Sequence, residues 1–271
     1  MKSNRKHAII TGGSSGIGQA LALRLARQGL HLSIIARRSK PLRHTQILLE
    51  QAARSPEQQI LALSADVSDR HSAEEAIQTA ITHSGPPHLL ITCAGIAYAH
   101  YFQEIPIEIF EETMAINYFG TLYCIHAALP AMEQQQVGQI AIVSSGAGLI
   151  GIYGYTAYCA SKFALRGLAE ALRGELKPLG IRVSIVYPPD TDTPQLAAEN
   201  QTKPLATRQI TATAQLWQPD AVARVILEGL AKGKFAITPG IEMTILSRFH
   251  SLLAPLLNPY FDRIVARHPR C

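Results

Sequence analysis

Six short runs of strand formers lie along the chain, and each of the first five is followed by a stretch long enough for a helix. HAIIT (7–11) leads into a helix predicted through about residue 28, and LHLSIIA (30–36) into another through about residue 53. QILALSAD (59–66) precedes a helix over 73–83, and LLITCAG (89–95) a long helical region over 108–134. QIAIVSS (139–145) precedes a helix over 157–177, and RVSIVYP (182–188) closes the series. Strands separated by helices return by crossovers, so the pattern calls for an α/β fold with a doubly wound parallel sheet and helices on both faces. No repeat, linker or composition break divides the 271 residues, which reads as one domain over 1–271. Within it, 195–240 is the expected substrate lid and 241–271 an apolar C-terminal segment.

In an open parallel sheet ligands bind outside the carboxyl ends of the strands, and the motifs fall there. After the first strand comes TGGSSGIG, where Gly12, Gly16 and Gly18 open a helix and Ser14, Ser15 and Ile17 fill the spaces between. Glycine allows positive φ and close backbone approach, and a helix N-terminus offers free N–H groups to a pyrophosphate. Placed between a strand and a helix, the motif predicts a dinucleotide site on a Rossmann-type sheet. The second strand ends at Ala36, Arg37 and Arg38, where an NAD enzyme usually carries a carboxylate for the ribose 2′-hydroxyl. Two guanidiniums favour a 2′-phosphate by charge and bidentate hydrogen bonding, so the expected cofactor is NADPH/NADP+.

Beyond the fifth run lie three tyrosines, and helical geometry selects among them. Residues i and i+4 share a helix face. Four positions after Tyr153 is Ala157 and after Tyr155 is Cys159, but after Tyr158 it is Lys162. A ketone that accepts hydride needs a proton on its oxygen, and a phenol can give one if a nearby ammonium stabilises the phenolate. Ser145 ends the preceding strand and is placed to hydrogen-bond the same oxygen.

The spacing TGxxxGxG, the Ser…Tyr-x-x-x-Lys arrangement and the residues between them resemble the short-chain dehydrogenase/reductase family over about residues 7–194. That resemblance implies that Asp66 and Val67 of ADV hold the adenine, and that Ala94 and Gly95 form half of the family's NNAG turn, with Thr92 and Cys93 in place of its asparagines. It implies that Asn117 of INYFG holds a water in the proton relay beside Ser145, Tyr158 and Lys162. In VYPPDTDTP it places Pro188, Thr191 and Thr193 against the nicotinamide, with Pro189 where the family has glycine. A homo-oligomer is also implied, formed through the helix that carries Tyr158 and the long helix over 108–134.

The runs AYCASKFALRGLAEALRGELKP, VYPPDTDTP, AAENQTKPLATR and FDRIVARHPRC resemble a branch of the family that reduces a long-chain amino ketone. A reductase of acyl-carrier thioesters or of other lipid and steroid ketones stays open, as does a non-catalytic NADP(H)-binding regulator. Leu149, Ile150, Ile152, Leu196, Leu205 and Trp217 are candidate walls for an apolar tail, with His100 and Tyr101 at its border. Either Asp190 or Asp192 is a candidate partner for the substrate's ammonium, and Asp220 is the expected cap of the helix that follows it.

The net charge of +5 favours an anionic partner, but the basic residues are scattered without interleaved aromatics, which argues against nucleic acid. The histidines and the four cysteines form no ligand spacing, so no metal is expected and the thiols read as reduced. The N-terminus enters a strand at once without a signal-peptide core, which predicts a cytoplasmic protein. No run reaches the roughly 18 apolar residues of a spanning helix. The uncharged FHSLLAPLLNPYF (249–261) still offers a peripheral membrane contact.

Overall fold

A computed structural model describes residues 6–212 and 215–268. Cys271, one of the four expected thiols, lies outside the described residues, and Cys93, Cys124 and Cys159 are free.

Seven parallel strands run in the order β3-β2-β1-β4-β5-β6-β7. They are β1 (His7–Thr11), β2 (His31–Ala36), β3 (Ile60–Ser64), β4 (Leu89–Thr92), β5 (Gly138–Val143), β6 (Ile181–Val186) and β7 (Ala236–Ile237). The order reverses between β1 and β4, and that switch point opens a crevice at the carboxyl ends.

Alternation along β1 shows how the core divides. Ala8 and Ile10 face a layer built on α1 (Gly16–Arg27), α2 (Ser39–Ala52) and α9 (Pro219–Ala231). Ile9 faces the layer of α3 (Arg70–Ser84), α5 (Gly120–Gln135) and α6 (Thr156–Leu176). All five β1 residues are buried because both faces are covered.

Three features depart from the sequence reading. The series does not close at β6, since β7 adds a seventh strand that pairs Ala236 with Ile185 and Ile237 with Val186. Two residues are too few to produce a period. The helical region over 108–134 is split: α4 (Ile107–Met114) and α5 are joined by a π turn, Ala115–Phe119, which centres on Asn117. Such bulges occur often at functional sites. Asp220 does not cap α9. Gln218 holds that position, and Asp220 sits in the first turn, where its carboxylate takes two hydrogen bonds from Arg24 at 2.7 and 2.6 Å.

The span 195–240, expected as a lid, holds most of α7 (Pro194–Thr202), then α8 (Leu205–Thr211), α9 and β7, and the C-terminal segment is one helix, α10 (Ile241–Ala266), that continues through Pro255 and Pro259. Among the described residues no helix is long and apolar enough to cross a membrane.

Candidate active site

Where β1 ends, the chain must turn into α1 within four residues while keeping its backbone open to the crevice. Gly12 does this at φ +69°, and a Cβ there would lie 2.8 Å from the amide of Ala94. A Cβ on Gly18 would meet the carbonyl oxygen of Gly12 at 2.3 Å, so the first turn of α1 packs directly on the loop. Ser15 occupies the N-cap position without capping through its side chain, and its hydroxyl borders the cleft. The result is a glycine cradle at a helix N-terminus, with the partial positive charge that suits a diphosphate.

The turn after β4, with Thr92 and Cys93 in place of the family's asparagines, is held from Thr11. Its Oγ1 accepts hydrogen bonds from the amides of Cys93 and Ala94, both at 3.2 Å. Asp66 accepts from the amide and hydroxyl of Ser68 at 3.0 and 2.7 Å. Burial raises its carboxyl pKa, but those bonds and the Arg37 charge outweigh it and hold the group below the usual carboxylate range. The Arg37 guanidinium is 3.5 Å from Asp66 and 4.0 Å from Glu112, so it is positioned while remaining mostly exposed.

The glycine loop, the Cys93–Ala94 turn, Arg37 and Asp66 line one cleft of about 460 Å³. Ser14, Gly16 and Ile17 join Gly12, Ser15 and Gly18 at its phosphate end, and Arg38 and Val67 join Arg37 and Asp66 at the next. Ala94, Gly95, Pro188, Thr191 and Thr193 border its middle. The loop that holds the last three is pinned by Trp217, whose amide donates to Asp190 and whose carbonyl accepts from Asp192, both at 2.9 Å. Thr193 then caps α7 by accepting from the amide of Leu196.

At the far end, α6 presents Tyr158 and Lys162 one turn apart. The Lys162 ammonium donates to the Val143 carbonyl at 3.1 Å and lies 5.5 Å from the centre of the Tyr158 ring. Burial lowers the Lys162 pKa to about 8, where it is poised to exchange a proton near neutrality. Ser145 eases ionisation of Tyr158, and its Oγ accepts from the amide of Ala147 at 3.2 Å. Tyr158 departs from the expectation that Lys162 lowers its pKa. Burial pushes the phenol up, the carboxylate of Glu199 adds to the rise, and Ser145 only partly offsets them.

Asn117 is fully buried behind this group. Its carboxamide accepts from the amide of Ile96 at 2.8 Å and donates to Ile96 O and Ser161 Oγ, both at 2.9 Å. It clamps the backbone just past the Ala94–Gly95 turn, 3.1 Å from where a Cβ of Gly95 would sit.

Of the candidate tail contacts, Ile152 and Leu196 line the cleft. Leu149 is spent in the core, Leu205 points to solvent at 63% exposure, and Trp217 packs on the α1/α9 side of the sheet. Asp190 borders the cleft, and burial raises its pKa. Asp192 turns to the outside, where Gln218 donates to it at 3.3 Å. That removes Asp192 as a partner for a ligand in this cleft.

Sequence reasoning missed Glu199 and underrated Tyr155. Glu199 is 7% exposed, and its carboxylate accepts the Tyr155 hydroxyl at 2.7 Å and the Gln195 amide at 3.0 Å. Gln195, Glu199 and Lys203 recur every four residues, a row that was visible in the sequence once the helix was placed. Among the described residues no group of three His, Cys, Asp or Glu side chains gathers to hold a metal.

A short chain dehydrogenase family model matches residues 6–204. The chain is 41% identical over 253 residues to the 3-ketodihydrosphingosine reductase of Bos taurus, covering 93% of this chain and 76% of that protein. It is 40% identical over 259 residues to the 3-dehydrosphinganine reductase of Danio rerio, covering 95% and 78%. The fold superposes on a short chain dehydrogenase/reductase from Burkholderia phymatum in complex with NAD with a TM-score of 0.82, at 23% identity and over 95% of this chain and 96% of that one.

Proposed function

The chain belongs to the short-chain dehydrogenase family, and we propose that it reduces 3-oxosphinganine to sphinganine with NADPH. The observation that carries this reading is identity of about 40% to reductases of that substrate along more than nine-tenths of the chain. The site supplies a chemistry to match.

The glycine cradle suits the diphosphate of a dinucleotide, Asp66 its adenosine half, and the Pro188–Thr193 loop its nicotinamide half. Arg37 and Arg38 stand where a 2′-phosphate would add its charge, with no carboxylate at Ala36 to favour a free hydroxyl. When bound, NADPH supplies the hydride. The ketone oxygen accepts hydrogen bonds from Ser145 and Tyr158, which concentrate donors where negative charge develops. Tyr158 would give its proton to the ketone oxygen as negative charge gathers there. Lys162, buried with its pKa lowered to about 8, serves reprotonation of the phenolate. Ile152 and Leu196 give the acyl tail its first apolar contacts.

Incubation with NADPH and 3-oxosphinganine should consume cofactor and yield sphinganine. Turnover of acetoacetyl thioester with none of the amino ketone would overturn the substrate.

The substrate's home in a bilayer also gives α10 a role. Ile241, Ile245, Phe249, Leu252 and Leu256 follow at steps of four, four, three and four, and all five are exposed. We assign this row to peripheral contact with a membrane surface. Wild-type protein should co-sediment with phosphatidylcholine vesicles and the Phe249→Glu/Leu252→Glu variant should not. Equal sedimentation of the two would remove the assignment.

A further inference from the structure

The reduction of a ketone requires no carboxylate, yet α7 delivers one to the acid that performs it. Glu199 is more than nine-tenths buried, and its hydrogen-bond partners are two neutral donors, the Tyr155 hydroxyl and the Gln195 amide. The same Gln195 side chain eases ionisation of Tyr158, and Glu199, Gln195 and Tyr158 all border one cleft. The cation nearest in sequence is engaged elsewhere. Lys203, itself 5% exposed, lies over the ring of Tyr155 at 5.6 Å, and its charge acts on Asp190.

A buried anion whose direct donors are both neutral is costly, and the Lys162 ammonium acts on Glu199 through its charge without an ion-pair contact. Here the anion also works against the reaction, because it pushes the Tyr158 phenol further up and makes it a poorer proton donor. Both costs vanish if a cation arrives with the substrate. An α-amino ketone carries its ammonium on the carbon next to the carbonyl, which places the nitrogen about 3 Å from the ketone oxygen by covalent geometry alone. Tyr158 and Glu199 line the same cleft, so a ketone oxygen at Tyr158 carries its ammonium into the space that Glu199 borders.

We propose that Glu199, oriented by Tyr155 and Gln195, is the counter-ion that recognises the substrate's ammonium. The inference rests on the amino-ketone reading above and names the residue that enforces it. Pairing neutralises Glu199 and releases its hold on Tyr158, so the acid strengthens when the correct substrate is bound. An N-acylated ketone leaves the buried carboxylate unpaired and the phenol weak. Selectivity arises in both binding and chemistry.

The test compares kcat/KM for 3-oxosphinganine and for its N-acetyl derivative, with NADPH binding as the check that each variant is folded. The wild type should favour the free amine by about 10²-fold, the scale set by loss of one partner from a buried charge pair. In Glu199→Gln that preference should fall to about threefold or less, and calorimetric affinity for sphinganine should fall with it. Glu199→Asp should recover part of the preference, and Tyr155→Phe, which loosens the carboxylate without removing its charge, should lose part of it.

Equal losses on both ketones in Glu199→Gln would mean a structural role and overturn the proposal. So would a collapse of the preference in Asp190→Asn with Glu199→Gln unaffected. A wild type that reduces both ketones equally well removes the counter-ion but leaves the amino ketone as a substrate. A wild type inert toward the amino ketone removes both.

Discussion

Tyr158→Phe should lower kcat by about 10³-fold, within the range that a general acid contributes, while NADPH still binds. The expectation follows from how few donors the site holds. Tyr155, the neighbouring phenol with its ring centre 5.7 Å away, has its hydroxyl committed to Glu199 at 2.7 Å. Ser145 can donate a hydrogen bond to the ketone oxygen, but a serine hydroxyl is too weak an acid to yield the proton. Lys162 is held against the Val143 carbonyl. Among the described residues no second group is placed to substitute. Phenylalanine keeps the ring and the packing of α6, so the loss should fall on turnover and spare both melting temperature and cofactor affinity. Single-turnover oxidation of bound NADPH isolates the chemical step. A rate within about tenfold of wild type would refute the role of Tyr158.

The second large effect concerns the cofactor. Arg37→Ala/Arg38→Ala should raise KM for NADPH by about 10–100-fold and KM for NADH by much less, since each charge-assisted hydrogen bond to a 2′-phosphate contributes on the order of 1.5–3 kcal/mol before discounting for exposure. The single variants should differ. Arg37 also touches Asp66 at 3.5 Å, so Arg37→Ala should loosen the adenine side and weaken both cofactors. Arg38 starts α2 from an extended backbone, and Arg38→Ala should weaken NADPH alone. Steady-state kinetics with both nucleotides checks this. Undiminished preference for NADPH in the double variant would show that the 2′-phosphate is held elsewhere.

How much of this was legible in the sequence depended on the distance over which each interaction acts. The glycine cradle and the Tyr158–Lys162 pair are local, set by a turn and by one helical repeat, and the residues read for them line one cleft. Thr11 was not legible as the support of the Cys93–Ala94 turn, because the two meet only through the pairing of β1 with β4. The partnership of Tyr155 and Glu199 spans 44 positions and two elements whose packing no period encodes. Asp190 and Asp192 alternate like strand residues, yet the bridge of Thr191 to Trp217 sends one to the cleft and the other out. β7 failed on length alone, and Leu205 failed because a short helix in the lid shows no reliable inward side.

Thr193 is where these threads meet. One face of its side chain lies against Gly16, so that a Cβ there would come within 2.9 Å of its methyl group. Its hydroxyl caps α7, six residues before Glu199. The glycine loop and the start of α7 thus share a fulcrum. If that loop holds the nucleotide and α7 the substrate's ammonium, as proposed above, a redesign that shifts the loop for a different nucleotide would tilt α7 as well, and the change would be felt as altered taste for the ketone.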